Sequence, residues 1–551
     1  MLAHLRLGKW FHLFVRCAGE GQIIMLSKFL GAMLALALMP SAAQAAETAA
    51  YSTTPVAQAV VAVLLVGLFV LLIKETFHKT LTAGLVVAVL VILDLVTPLK
   101  VMDFDTAVRD VDWNVIFLLG SMMIIVHVLI ETRLFDWLTA RMIDFSDGRA
   151  KPLVGIIASG TGFLSAFADN VTTVLFMAPM ARKVSKALGI SVWALAMPMI
   201  MAANIGGTAT LIGDPPNVII GVDAGLSFMK FIYFLTVPVI FMMIALVAFS
   251  FWFYGKEIAQ AEAREGQEVE RVLVEHPRVL KWALGIIALI FLGFFTTGLT
   301  HLPVGVVAFM GAMAVMAGRS FILKQQMGSE HATEAFAKSF ERGIEWLTLG
   351  FFIFMFMAIS SAEHTGLIHS AALTLQNLVG WFSTTFGLGL NAKLLTAALL
   401  ILVFSAVISA LVDNIPYTIT AVAIVQVLVG AFVKDLTAAG AGDPGLMADV
   451  LWWALSLGAC LGGNATLIGA SANVTTVGIM EKQGERMTFV DFLRFGVPVT
   501  VITIAIAAVY LTLYVFAGGV ATNVTGAIVL VLLAGMAALR WKRKQEVAVP
   551  L

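Results

Sequence analysis

Asp169 and Asp413 each lie inside a long apolar run, and each is followed directly by an asparagine, Asn170 and Asn414. A carboxylate near the middle of a bilayer costs at least about 2.5 kcal/mol even on the gentlest scale. Such a group is expected where it ligates a cation, carries a proton, or does both. A second polar pattern follows each pair: Gly206, Gly207, Thr210 and Asn217 after the first, and Gly462, Gly463, Asn464, Thr466 and Asn473 after the second. With Thr173 and Thr418, these asparagines and threonines offer neutral donors and acceptors to a substrate. The glycines, with Gly213, Pro215 and Pro216, are expected to unwind a helix, leaving carbonyls for a cation and a half-helix N-terminus for an anion. Two plainer readings stay open. The aspartates can cap helices that begin at Val171 and Ile415, and the amides can simply tie neighbouring helices together.

The two sets are copies of one pattern. Ser165-Ala-Phe-Ala-Asp169-Asn170 matches Ser409-Ala-Leu-Val-Asp413-Asn414, and Gly206-Gly207 through Asn217 matches Gly462-Gly463 through Asn473. A third pair, Asp112-Trp113 and Glu345-Trp346, opens one apolar segment in each half. The wider spacing of the later copy is absorbed by the Ala/Gly-rich stretch Ala438–Gly445. Duplicated halves with matching interruptions are the best sequence pointer to a transporter's binding site. In hydrocarbon every backbone N–H and C=O must be paired, so broken helices at membrane depth belong around a polar cavity.

Composition says what must carry these loops. Of 551 residues, 60% are hydrophobic and 12% charged, against about 25% charged in a soluble domain; the mean hydropathy is +0.97. Too few charges remain to cover a water-facing surface, and apolar runs long enough to span a membrane recur throughout. The expected fold is an all-α integral membrane protein, with two homologous inverted repeats, re-entrant hairpins and interrupted helices. Plain spans are expected near 55–73, 80–97, 113–130, 192–210, 230–253, 280–298, 303–321, 345–361, 394–411, 450–466, 492–517 and 521–539. The stretches 152–167 with 170–181, and the region after Asn414, read as hairpins or broken helices. Thirty-four basic residues balance thirty-four acidic ones, which gives no argument for nucleic acid. Two cysteines, Cys17 and Cys460, are too few for a disulfide framework or a thiolate metal site.

From Met25 a lysine, a short apolar core and small residues at Ala43 and Ala45 have the layout of a secretory signal peptide; a first spanning helix is the alternative. The domain boundaries read as a leader at 1–46, a first repeat at 47–254, a cytoplasmic linker at 255–281, a second repeat at 282–540 and a tail at 541–551. Arg133, Arg141, Arg149 and Lys151, and the tail from Arg540 to Lys544, are basic clusters expected in the cytoplasm of a bacterial cell, below its inner membrane. Four further residues at span ends, His127, Glu131, Glu363 and His364, can relay protons or merely face water. Cys460, just before Gly462, reads as a small packing residue in preference to an arsenic ligand. No Gly-Lys-Ser/Thr phosphate loop occurs, so an ion gradient is the expected energy source, with Na+ or H+ as coupling ion and no cofactor. An ATPase partner is not excluded.

The segments SAFADNVTTVLF, GGTATLIGDPPNVIIG, SALVDNIPYT and LGACLGGNATLIGASANVTTVGI resemble signatures of the ion transporter superfamily, most closely its branch of arsenite permeases and the melanosomal P protein. The resemblance covers roughly 55–540. It implies a scaffold domain and a mobile transport domain, a homodimer in many relatives, and elevator-type motion. Sodium-coupled dicarboxylate carriers of the superfamily place Ser-Asn-Thr at each hairpin tip. Here those positions hold Asp169-Asn170 and Asp413-Asn414, and added carboxylates repel a dianion unless protons or cations neutralise it. The resemblance therefore implies an ion-coupled carrier of a small inorganic ion or oxyanion, with arsenite or antimonite efflux as the named expectation. A sodium/proton antiporter, a dicarboxylate carrier and a passive anion channel are the alternatives. An intramembrane enzyme would need a catalytic dyad or metal motif, whereas these aspartates recur in matched repeats.

Overall fold

The computed structural model describes residues 54–74, 77–146, 149–262, 275–300 and 302–547. The leader lies outside them, as does the charged middle of the linker. Every element there is helical, with no strand among the described residues. The first half runs α1 (Pro55–Lys74), α2 (Lys79–Val96), α3 (Phe104–Arg109), α4 (Trp113–Glu131), α5 (Leu134–Phe145), α6 (Ala150–Ser165), α7 (Asn170–Leu188), α8 (Trp193–Gly207), α9 (Pro215–Asp223), α10 (Phe228–Phe253) and α11 (Gly255–Glu262). The second runs α12 (Pro277–Thr300), α13 (Val304–Met327), α14 (Ser329–Arg342), α15 (Trp346–His364), α16 (Leu367–Phe386), α17 (Leu390–Leu411), α18 (Asn414–Ala438), α19 (Pro444–Ala448), α20 (Val450–Gly462), α21 (Ser471–Lys482), α22 (Phe489–Ala517) and α23 (Gly519–Val547). Eleven helices among the described residues are long and apolar enough to cross a membrane. The protein is an all-α integral membrane protein, as composition requires.

Two expectations about single segments change. The region after Asn414 is one 25-residue helix of span length, not a broken one. Its Pro416 sits in the first turn, where a missing N–H breaks no intrahelical bond. The expected span at 192–210 is instead the 15-residue α8, which ends at Gly207. Residues 166–169 interrupt the chain between α6 and α7, as the sequence suggests.

The chain forms two compact units, and each draws on both halves. One contains residues up to Asp112, Leu347–Trp381 and Thr488–Arg494. Within it α15 holds the segment around α3: the Ser361 hydroxyl donates to the Val101 carbonyl at 2.6 Å. Ser360 Oγ and His364 Nε2 both meet Asp110 Oδ2, at 2.6 and 3.0 Å. His364, weighed above as a proton relay, thus lies in a polar contact at a helix end.

The other unit holds Trp113–Trp346, Phe382–Met487 and Phe495–Leu551, and so contains both copies of the repeated loops. Its centre is α8 and α20. The stretch WALAMPMIMAANIGG is apolar on every side, and a helix of that kind belongs in the interior; Ala194 through Gly207 are all buried. All thirteen residues of α20 are buried as well. Each central helix has a backbone-close neighbour from its own half, α6 against α8 and α17 against α20. A Cβ added at Gly206 would run into the Gly162 backbone, and one at Gly462 into the Ala406 backbone. The glycines therefore serve close approach. Gly206 and Gly207 keep helical conformation as the last residues of α8, so the expectation that they unwind the helix is corrected.

Gly206→Ala and Gly462→Ala should each destabilise the protein by more than about 2 kcal/mol, because backbone cannot yield as a side chain does. Gly430→Ala, with nothing within 4 Å, should be neutral or slightly stabilising. Fluorescence-detected melting of the detergent-solubilised protein measures all three.

Candidate substrate and ion site

Each copy of the motif builds the same local structure. Asp169 is the N-cap of α7: Oδ1 accepts from the Thr172 backbone N–H at 2.9 Å, and Oδ2 accepts from the Thr172 hydroxyl. Asp413 is the N-cap of α18, accepting from the Ile415 N–H at 3.2 Å and from the Ser471 hydroxyl. Both acids are half-buried. Just upstream, Thr210 Oγ1 donates to the Ala166 carbonyl and Thr466 Oγ1 to the Ala410 carbonyl, which sews each Gly-Gly loop to the preceding Asp-Asn turn. Thr418 donates back to the Asn414 carbonyl at 2.7 Å, and the buried Thr173 to the Ala168 carbonyl at 3.5 Å.

Asn217 and Asn473 close the loops from inside. The Asn217 amide donates to the carbonyls of Thr210 at 2.8 Å, Thr208 at 3.0 Å and Gly207 at 3.4 Å. The Asn473 amide donates to those of Gly463 and Thr466, both at 2.8 Å. These loop carbonyls, expected to stand open for a cation, already accept hydrogen bonds from the protein. Across each loop the glycines meet again: a Cβ at Gly207 would lie 2.6 Å from the Gly213 carbonyl oxygen, and one at Gly463 2.8 Å from that of Gly469.

The amide oxygens of Asn217 and Asn473 then reach into the opposite half. Ser456 Oγ donates to Asn217 Oδ1 at 2.6 Å, with Cys460 Sγ at 3.6 Å. Asn204 Nδ2 donates to Asn473 Oδ1 at 3.0 Å and to Asn464 Oδ1 at 2.8 Å, while Asn204 Oδ1 accepts from Asn170 Nδ2 at 3.0 Å. Asn204 and Cys460 hold equivalent places, two residues before Gly206 and Gly462. The centre is thus a pseudo-symmetric mesh in which each half's central helix bonds the other half's loop.

One acid has no counterpart in the other half. Asp214 is fully buried and occupies the N-cap position of α9, yet its side chain caps nothing; the equivalent residue in the other half is Ala470. Both Asp214 oxygens instead lie 3.3 Å from Asn414 Nδ2, in the other half. The Cys460 thiol, on the second half's central helix, lies against the same carboxylate. Two buried donors near this mesh, Asn464 Nδ2 and Ser165 Oγ, have no hydrogen-bond partner, and orphaned donors of that kind suit a ligand oxygen.

The family model described as "Citrate transporter" matches residues 69–458. The chain belongs to the citrate transporter family. A Mycobacterium tuberculosis protein described as an uncharacterised transporter is 34% identical over 454 residues, which is 82% of this chain and 97% of that protein. A Synechocystis protein with the same description is 29% identical over 461 residues, or 82% and 96%. The human P protein is 28% identical over 530 residues, covering 81% of this chain and 59% of the P protein, in keeping with the resemblance read from the motifs. Among solved structures, the Alcanivorax borkumensis YdaH transporter aligns with 80% of this chain and 99% of its own, at a TM-score of 0.52 and 16% identity; that likeness shows the fold. This citrate transporter family member is therefore a multi-pass membrane transporter.

The structure brings into one unit every site residue expected from the sequence, and adds Asn204, Asp214, Ser456 and Cys460. Asp214 stands within the quoted GDPPN segment and is detectable as the one acid that the second copy lacks. Asn204 is the single polar residue of an otherwise apolar run. Removing it leaves three buried amides short of a partner, each at about 1–3 kcal/mol. Asn204→Ala in this family member should therefore melt well below wild type, and Cys460→Ser close to it, in the same thermal assay.

Proposed function

We propose that this chain is an ion-coupled secondary transporter of a small inorganic ion or oxyanion in the bacterial inner membrane, with its C-terminal tail in the cytoplasm. Arsenite and antimonite are the named candidates. The observation that carries the reading is Asp214: a fully buried carboxylate, away from capping duty, whose two oxygens both face the amide of Asn414 in the other repeat. A carboxylate at that depth needs a proton or a cation. Binding either one there, in a carrier, ties ion movement to the loops that meet the substrate.

Neutral donors, among them the unpartnered Asn464 amide and Ser165 hydroxyl, suit the oxygens of a neutral or weakly charged oxyacid. The family's description points to citrate, and this supports a second reading. Citrate beside Asp214, Asp169 and Asp413 would need its charge offset by protons or metal cations before entering the amide mesh. A sodium/proton antiporter, in which the carboxylates bind the transported ions directly, rests on the same buried acid. In each case the loop-bearing core would move as a body against a scaffold, in elevator fashion, because its backbone-tight helix pairs cannot slide independently.

Proteoliposomes with imposed sodium and pH gradients separate the readings, using arsenite, antimonite, citrate and succinate as the panel. Wild type should accumulate or extrude one of these in response to a gradient, and Asp214→Asn should lose at least about tenfold of that coupled flux, near 1.4 kcal/mol. Sodium-driven proton flux with no panel solute present selects the antiporter. Wild-type flux from Asp214→Asn under every gradient defeats the coupling role given to this acid.

A further inference from the structure

Away from the loops, a cavity of about 310 Å³ opens among the end of α4, the start of α12, the second half of α13 and the length of α14. Its apolar lining includes Val128, Val279 and Leu323, all buried. Behind them Arg319, 4% exposed, lies within a helix of span length. Its guanidinium pairs with Glu131 and donates to the Ala335 carbonyl at 3.0 Å and to the Ser339 hydroxyl. His276, His331 and Lys338 line the same space, along with Glu334. The two acids of the lining each already hold a cation, Glu131 with Arg319 and Glu334 with Lys338 at 2.7 Å. The two histidines add nitrogens that no further acid of the lining balances.

The surroundings are those of a membrane interface. Helix α14 turns Ala332 and Ser339 inward and carries Glu330, Glu334 and Glu341 outside, with Phe336 44% exposed among them. The helix follows directly on α13, a helix of span length, which sets it at the edge of the spanning region. Met327, also in the lining, is 50% exposed. Arg133, immediately beyond α4, is followed by Arg141, Arg149 and Lys151, and such a cluster marks the cytoplasmic end. The cytoplasmic leaflet carries the negative surface potential, and basic pockets between spanning helices on that side take phosphate-bearing headgroups.

We propose that this groove binds the headgroup phosphate of an anionic phospholipid of the cytoplasmic leaflet. His276 and His331 receive the phosphate, Lys338 turns to it from Glu334, and the acyl chains run out past Met327 and Phe336. The lipid then staples α14 to α4, α12 and α13. The site shares no residue with the loop mesh, so the proposal does not depend on the transported substrate.

The full chain in neutral detergent is titrated with phosphatidylglycerol, phosphatidylcholine and inorganic phosphate, and binding is read by native mass spectrometry and by the shift in melting temperature. Phosphatidylglycerol should bind and raise the melting temperature, with little effect from the other two. The triple variant His276→Gln, His331→Gln, Lys338→Gln should weaken phosphatidylglycerol binding at least about fivefold. Lys338→Gln alone, at a half-exposed position, should weaken it in the same direction if the triple variant does not fold. Arg141→Gln, at an exposed position on α5, should leave it unchanged. Undiminished binding by the variants, an equal loss in Arg141→Gln, or an equal response to inorganic phosphate overturns the lipid assignment.

Discussion

Two pairs of helices touch at backbone distance, and the rest of the transport core rests on that contact. Where Gly206 meets Gly162, and Gly462 meets Ala406, no space exists for a side chain. The same holds across each loop, between Gly207 and Gly213 and between Gly463 and Gly469. So close an approach lets one asparagine, Asn217 or Asn473, bind several carbonyls of an irregular loop at once. Irregular backbone buried in a membrane protein is tolerable only when its polar groups are paired internally. Here the glycines provide the proximity and the asparagines the pairing.

The loops so held are then joined across the pseudo-symmetry. Asn204 bonds the loop of the second half, while Cys460 and Ser456 meet Asn217 of the first. Chemical equivalence fails only locally. Asparagine stands opposite cysteine at 204 and 460, and aspartate opposite alanine at 214 and 470. A pseudo-symmetric frame thus carries an unsymmetrical set of polar groups.

Much of this was legible in the residues. The membrane class, the duplication, the break before Asn170 and the glycine loops all follow from apolar runs and repeated motifs. The roles within the loops were less so. Asp169 and Asp413 attract attention because charge in an apolar run is costly, yet both are helix caps, a use the sequence allowed but could not select. Asp214 drew no attention in the motif, and although it stands at a cap position directly before Pro215 its side chain caps nothing. Only three-dimensional placement reveals that its oxygens face Asn414, two hundred residues away in the chain. The polar residues after Asn414 misled as well, since they suggested a broken segment where one continuous helix runs.

Helix α9 begins on Pro215 and Pro216, whose fixed torsions start it without help from the side chain before them. The carboxylate at 214 is thereby released from any architectural duty. A change of partner at this side chain leaves the start of the helix behind it untouched. Descendants of this chain can also retune the chemistry at that one position without having to rebuild the scaffold that presents it.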